Sequence, residues 1–157
     1  MTILSIDPGA SGGLAWGYTS NGVPCAKASR MPATQGDVLD LLLEIVAESP
    51  NIRAYVEQVG GYCGTGQPGS AMFKFGEGYG FILGCLATMG VPVTLVTPQR
   101  WQKALGCGTK GKDRSKTEWK NHLKGMAQRM YPNADVTLAT ADACLIYRYA
   151  ELQEGGK

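Results

Sequence analysis

Three carboxylates stand where predicted secondary-structure elements begin or end. Asp7 closes a short apolar strand and Glu57 lies near the end of a later one, while Asp142 lies in the first turn of the last helix. Where buried carboxylates meet, their repulsion favours protonation of one of them, and a divalent cation relieves that repulsion. Mg²⁺ takes oxygen ligands from carboxylates and phosphates, and two such ions about 3.5–4 Å apart can activate water against a phosphodiester. These residue types therefore indicate metal-dependent phosphodiester hydrolysis.

Two of the three carboxylates also have a purely structural explanation. Asp7 precedes Pro8 and Gly9, and Asp-Pro-Gly is a common turn sequence. An acid in the first turn of a helix, as Asp142 is, interacts favourably with the helix dipole. Small residues from Gly9 to Gly13 allow a phosphate or a second strand to come close to Asp7. Taken alone, the carboxylates leave both explanations open.

The elements that must position these side chains follow from apolar periodicity and turn residues. The predicted strands cover residues 2–6, 13–19, 25–31, 52–58 and 91–96. The predicted helices cover 34–49, 70–89, 99–105, a segment capped by Asp113 or Ser115 that ends near 130, and 141–153. This order predicts a mixed sheet with an antiparallel hairpin part and parallel strand–helix–strand units. The first and fourth strands are then neighbours, so that Asp7 and Glu57 share one end of the sheet.

The composition is typical of one soluble domain. The chain has 157 residues, of which 44% are hydrophobic and 18% charged, and this length suffices for a substantial core. No apolar run approaches the ~20 residues of a membrane span and no basic leader precedes the first strand, so we expect a cytoplasmic protein with no membrane partner. Five scattered cysteines without a Cys-x-x-Cys pair, together with one histidine, predict reduced thiols rather than a zinc site.

The net charge of +2 is unevenly distributed along the chain. Residues 99–130 hold nine basic and two acidic side chains, a net charge of +7, which leaves about −5 for the remainder. An excess of that size suits a polyanion such as nucleic acid, although a solvated helix face would give the same run. Within this segment, Trp101 is expected to pack in the core and His122 to lie at the surface.

Glycines mark two further places in the chain. Residues 60–69 include five glycines, and such a long irregular loop is more often functional than idle. Four more glycines lie inside the helix predicted at 70–89, where each costs about 1 kcal/mol relative to alanine. We therefore expect that helix to pack closely against the sheet or against a ligand backbone at these positions, which are Gly76, Gly78, Gly80 and Gly84.

Five short motifs occur in order along nearly the whole chain. They are Ser-Ile-Asp-Pro-Gly at 5–9 with Gly-Gly-Leu-Ala at 12–15, Val-Glu-Gln at 56–58, Ser-Ala-Met-Phe-Lys-Phe-Gly at 70–76, Pro-Gln-Arg-Trp at 98–101 and Ala-Asp-Ala at 141–143. Together they resemble the motifs of RuvC-type Holliday junction resolvases, and of these the small phage-like branch is the most similar. The resemblance implies an α/β ribonuclease H-like fold, with a mixed five-stranded sheet and helices on both faces. It also implies a single RuvC-like nuclease domain over residues 1–157, which acts as a homodimer.

The resemblance further implies Mg²⁺-dependent nicking of opposed strands in branched DNA, in particular four-way Holliday junctions, by a phage-encoded or bacterial cytoplasmic enzyme. Asp7, Glu57 and Asp142 would be both the catalytic residues and the metal ligands, with Mn²⁺ able to replace Mg²⁺. Lys103 and Lys116 match basic positions that contact DNA in the family. The full set of DNA-binding candidates is Tyr62, Lys74, Arg100, Lys103, Lys110, Lys112, Arg114 and Lys116.

Two positions depart from the family's pattern. Many relatives carry an aromatic wedge at the start of the glycine-rich loop, where this chain has Gly60, so that Tyr62 is the candidate to replace it. Family members often have Asp, His or Lys three residues before the last carboxylate, and this chain has Ala139 there. Asp135 would substitute only if its segment folds back.

Three interpretations of the site therefore stay open. The protein is a nuclease with three carboxylates and a different helper residue, or it is a non-catalytic or inactivated junction-binding protein of the same fold. A sugar-kinase or actin-like ATPase, whose phosphate loop also reads Asp-x-Gly, is the weakest alternative because 157 residues hardly provide two lobes.

Overall fold

The computed structural model describes residues 1–20, 23–58, 60, 69–111 and 113–155, with only the backbone described at 19, 20 and 23–25. In chain order the elements are β1 (Thr2–Asp7), β2 (Gly13–Ser20), β3 (Val23–Arg30), α1 (Gln35–Ala47), β4 (Ile52–Glu57), α2 (Gly69–Thr88), β5 (Val93–Val96), α3 (Pro98–Ala104), α4 (Lys116–Met130) and α5 (Ala141–Gly155). Of the predicted site residues, Tyr62 and Lys112 lie outside the described part of the chain.

The strands form one mixed sheet of order β3-β2-β1-β4-β5. The first three strands pair antiparallel, whereas β4 runs parallel to both β1 and β5. Ile6 stands opposite Val56 in the β1–β4 ladder. Asp7 and Glu57, one residue further along each strand, therefore lie at the same end of the sheet. The predicted mixed sheet and the shared position of these two residues at its end are confirmed.

Helices cover both faces of the sheet. Side chains alternate along a strand, and in β1 this sends Ile3 to one core cluster and Leu4 to the other. The first cluster is closed by α3, α4 and α5, and the second by α1 and α2. Each face of the sheet thus packs against its own hydrophobic core, as expected for a sheet with helices on both faces.

Capping explains two of the helix starts. Thr34 caps α1 by accepting the Asp37 N–H at 3.1 Å. Ser115, rather than Asp113, caps α4 through a reciprocal capping box with Glu118. The helix predicted over 70–89 already includes Gly69, one residue before its predicted start.

The predicted close packing of the α2 glycines against the sheet is wrong. Among the described residues, nothing lies within 4 Å of where a Cβ would stand on Gly76, Gly78, Gly80 or Gly84. The sequence pattern gives the helical cost of these glycines but not the face on which they lie.

Within the described residues, no helix is long and apolar enough to cross a membrane.

Candidate active site

Asp7 lies at the end of β1, where the chain turns back into β2. The Gly12 N–H donates to the Gly9 carbonyl at 2.8 Å, and the Gly9 N–H lies 3.4 Å from Asp7 Oδ1. A Cβ on Gly12 would stand 2.6 Å from Asp7 Cγ, closer than real Cβ contacts occur. Glycine at position 12 therefore leaves space for the Asp7 carboxylate. Asp7 also accepts a weak hydrogen bond from the Gly9 N–H in the same turn.

Glu57 ends β4 and is held by a tryptophan of α3. The Trp101 indole N–H donates to Glu57 Oε2 at 2.9 Å. Trp101 belongs to the core, as predicted, since it is only 1% exposed. Sequence reasoning missed its second role, because apolar periodicity does not say which buried indole meets a carboxylate.

Asp142 is positioned by the tight attachment of α5 to the sheet. The buried Ser5 hydroxyl lies 2.7 Å from the Ala143 carbonyl oxygen and 3.0 Å from that of Ala15. This contact joins the first turn of α5 to β1 and β2. Asp142 consequently sits in the part of α5 that is fixed most directly to the central strand.

The segment before α5 is folded by its own threonines. The Thr140 hydroxyl donates to the Asp135 carbonyl at 2.7 Å and accepts the Thr137 N–H at 2.8 Å. Asp135 is exposed, and its charge acts on Cys144 rather than on the three carboxylates. Asp135 therefore does not replace the polar residue that is missing at Ala139.

The three carboxylates form one electrostatic group. Burial raises the pKa of Asp7, and burial followed by the charge of Asp7 raises the pKa of Asp142 to about 6. For Glu57, burial, then the Asp7 charge and then the weaker Asp142 charge raise the pKa to about 7, although the Trp101 hydrogen bond lowers it. Among the charges that act on Glu57 and Asp142, that of Asp7 therefore has the largest effect on the pKa of each.

Among the described residues, Lys120 is the cation whose charge opposes this group. Lys120, a half-buried residue of α4, lowers the pKa of Asp7, Glu57 and Asp142 alike. The sequence offers only an indirect signal for it, because Lys120 follows Trp119 directly in the chain and Trp119, Leu123 and Ala127 are the buried residues of α4. It is one of the nine basic residues of 99–130, to which the sequence alone assigns no separate role.

The donor set fits a hard divalent cation. Among the described residues, no three Asp, Glu, His or Cys side chains are drawn together into a ready-made metal cage. The charges of Asp7, Glu57 and Asp142 nevertheless repel one another, and the charge of the half-buried Lys120 opposes theirs. Carboxylate oxygens whose negative charges repel one another are suitable ligands for Mg²⁺ or Mn²⁺.

The described DNA-binding candidates all lie at the surface. Arg100 and Lys103 are on α3, which also carries Trp101, and Lys74 is on α2, where it lines a cavity of about 390 Å³ beside Pro8. The remaining exposed candidates, between α3 and α4 or at the start of α4, are Lys110, Arg114 and Lys116.

His122, expected at the surface, is partly exposed and makes two contacts that the sequence does not predict. The imidazole is half-buried and stacks on Trp119, with ring centroids 5.4 Å apart. Its Nε2 lies 3.0 Å from the Cys107 carbonyl oxygen. His122 therefore ties the loop after α3 to α4.

Comparison with protein-family models and with curated protein sequences finds no match. Solved structures do match. RuvC from Thermus thermophilus superposes with a TM-score of 0.62 at 18% identity, over 99% of this chain and 97% of that one. The chain has the RuvC fold. T. thermophilus RuvC in complex with Holliday junction substrate matches over the same shares, with a TM-score of 0.63 and 19% identity. The predicted RuvC-like, ribonuclease H-like architecture is confirmed.

Proposed function

We propose that this protein is a junction-resolving endonuclease of RuvC type, from the small phage-like branch, with one nuclease domain. It binds four-way or branched DNA as a homodimer and nicks opposed strands by Mg²⁺-dependent phosphodiester hydrolysis. The observation that carries the proposal is the coupled group of Asp7, Glu57 and Asp142 at one edge of a RuvC-like sheet. A structural neighbour bound to Holliday junction substrate supports the choice of substrate.

The chain's own residues prepare the site for this reaction. Asp7, Glu57 and Asp142 would hold the divalent cation, which supplies a Lewis acid for the phosphate and an acidified water. Glu57, with its pKa near 7, must release a proton before it can serve as a ligand. The Trp101 indole, by donating to Oε2, fixes the direction in which the carboxylate faces. The products would be 5′-phosphate and 3′-hydroxyl ends, as the family resemblance implies.

The basic segment would hold the DNA arms. Arg100, Lys103 and Lys116 are exposed, and lysine and arginine contacts to phosphates give binding that depends on salt but not on sequence. Because Arg100 and Lys103 flank Trp101 on α3, phosphates held there would pass close to Glu57.

The α2 helix is the candidate subunit contact. Gly76, Gly80 and Gly84 recur at four-residue spacing, and no described atom lies near their would-be Cβ positions. Phe73, one turn before Gly76, is 75% exposed. A second copy of this helix would cover Phe73, and the glycines would let the two backbones approach closely.

A nicking assay tests the proposal. The intact protein is incubated with a labelled four-way junction or with plain duplex of the same sequence, with and without Mg²⁺. We expect paired nicks in the junction only when Mg²⁺ is present, and we expect Asp7→Asn to bind the junction but not to cut it. Cleavage by Asp7→Asn at the wild-type rate would show that the site is assigned wrongly.

Ala139 favours one alternative, a junction-binding protein that has lost its chemistry. The residue is half-buried and brings no ligand atom from its side chain. This alternative predicts tight junction binding with no Mg²⁺-dependent product even after long incubation. The ATPase alternative has no support in the described residues, whose strands form one sheet rather than two lobes.

A further inference from the structure

A cavity of about 390 Å³ opens beside the turn that carries Asp7. Pro8 and Ala10 of that turn line it, together with residues at the start of α1 and along one side of α2. The lining is mostly apolar, and Lys74 and Gln35 are among its exposed polar members. Pockets for small ligands usually measure about 300–1,000 Å³, so this cavity has room for one planar ring system next to the proposed active site.

The ring of Phe75 joins the cavity to the Asp7 carboxylate. Phe75 lines the cavity, and a Cβ on Gly9 would stand 3.8 Å both from Phe75 Cε2 and from Asp7 Oδ1. One point of the turn is therefore in van der Waals range of the ring and of the carboxylate. Phe75 also lies nearly parallel to Tyr79, with ring centroids 6.5 Å apart. A group seated in the cavity would thus be a close neighbour of a phosphate held at Asp7.

The α2 helix keeps the cavity open. Gly78 is half-buried and lines it, yet no described atom lies within 4 Å of a Cβ built on this glycine. Lys74 and Ile82 line the cavity too, four residues before and after Gly78. The glycines proposed as the subunit contact begin at Gly76, two residues or about half a helical turn out of step. The cavity and that contact are therefore on opposite sides of α2, and a partner on the glycines leaves the cavity free.

We propose that this cavity receives one unpaired base of the DNA junction, beside the phosphate that is cut, and reads its identity through Gln35. The inference rests on the proposed function, because it concerns the same DNA. Bases of every kind stack on aromatic side chains, and Phe75 offers such a surface. The Lys74 ammonium suits the phosphate of the same nucleotide, while the Gln35 amide both donates and accepts hydrogen bonds at a base edge.

A branched substrate supplies such a base at low cost. Taking a base out of a regular duplex costs its pairing and stacking, and the cost is least where pairing is already disturbed. At a crossover each exchanging strand passes from one arm to another, which interrupts the stacking of its bases. The cavity would therefore favour a junction over plain duplex, in which the same base stays paired.

Abasic substitution in the junction tests the inference. Nucleotides near the crossover are replaced one at a time by an abasic residue, and the Kd of the protein is measured in a chelating buffer. For the wild type we expect one position at which the missing base weakens binding at least about fivefold, the scale of a base–aromatic stack. Gly78→Leu, which fills the cavity, should bind the unmodified junction at least about fivefold more weakly and lose this dependence. Gly155→Leu at the exposed end of α5 is the matched control and should resemble the wild type.

A second measurement addresses base identity. Four junctions that differ only in the base at that position are nicked in the presence of Mg²⁺. The wild type should prefer one base at least about fivefold over the least favoured, and Gln35→Leu should lose at least half of that ratio. An unchanged ratio in Gln35→Leu would contradict the assignment of Gln35.

Each other outcome of the abasic scan counts against the inference. A wild-type scan without a fivefold loss at any position contradicts it without a variant, which also covers a Gly78→Leu protein that does not fold. A dependence that persists in Gly78→Leu contradicts it as well. So does a Gly78→Leu protein that is monomeric by light scattering, because a second copy would then fill the cavity. In all these cases the proposed function stands if the wild type nicks junctions, whereas a wild type that neither binds nor nicks them contradicts both.

Discussion

At the scale of single residues, the buried acids make the metal-free protein sensitive to pH. A carboxyl whose pKa is raised by folding binds protons more tightly in the folded state, so stability falls as pH rises from its unfolded to its folded value. For Glu57 this window runs from 4.5 to about 7, and for Asp142 from 3.8 to about 6. Both changes have the same sign, and Glu57 alone corresponds to a stability change on the order of 3 kcal/mol.

We therefore expect the melting temperature, measured in a chelating buffer, to fall as the pH is raised from about 5 to about 7.5. Glu57→Gln should be more stable than the wild type at the upper end and should show a flatter curve. A wild-type melting temperature that is constant or rises over this range would contradict the raised pKa values.

Trp101 allows a second prediction at this scale. Trp101→Phe keeps an aromatic ring in the core but removes the N–H that lowers the pKa of Glu57. Because the pKa of Glu57 then rises, the pH profile of junction nicking should move to higher pH. The nicking rate at neutral pH should drop roughly tenfold, which is the effect of losing one hydrogen bond to a charged group. Trp119→Phe is the matched control, since Trp119 is also buried and its ring stacks on His122. A lower rate with an unmoved pH profile would mean that Trp101 acts only by packing.

At the scale of elements, the β1–β2 hairpin depends on a glycine that leaves room for a carboxylate. Gly12→Ala places a Cβ 2.6 Å from Asp7 Cγ, so Asp7 must move. We expect junction nicking to fall by about 100-fold and stability by about 1–3 kcal/mol, as for overpacked positions. Gly36→Ala on α1 is the control, because its nearest neighbour would be the Thr34 hydroxyl at 3.8 Å. Normal nicking by Gly12→Ala would show that the position of Asp7 tolerates this displacement.

Helices and strands that depend on residues close together in the chain could be predicted from the sequence. Apolar runs and turn residues lie next to each other in the chain, which is why the strands, the mixed sheet and the shared sheet end of Asp7 and Glu57 were predictable. The hydrogen bond from Trp101 to Glu57 and the effect of the Lys120 charge on the carboxylates could not be predicted, because they depend on how α3 and α4 pack across the sheet. The α2 glycines show the same limit, since helix propensity is local whereas the face that a helix exposes is set by tertiary packing.

At the scale of the whole molecule, the exposed glycine row of α2 predicts how two copies meet. Gly80→Leu should give monomers by light scattering, with junction nicking lost, while the monomer gains about 1 kcal/mol of helix stability. Gly155→Leu on α5 is the control, because Gly155 is also exposed and has no described atom within 4 Å of a Cβ. A Gly80→Leu protein that stays dimeric would place the subunit contact elsewhere.

The attachment of α5 to the sheet also sets the order in which the site can be completed during synthesis. Asp7 and Glu57 leave the ribosome before Asp142, which reaches its place only when α5 packs across β1 and β2. Domains generally fold as units, so a nascent chain that has not yet released α5 carries two of the three acids and no finished site. For the proposed nuclease this delay is protective, because a truncated translation product cannot cut DNA.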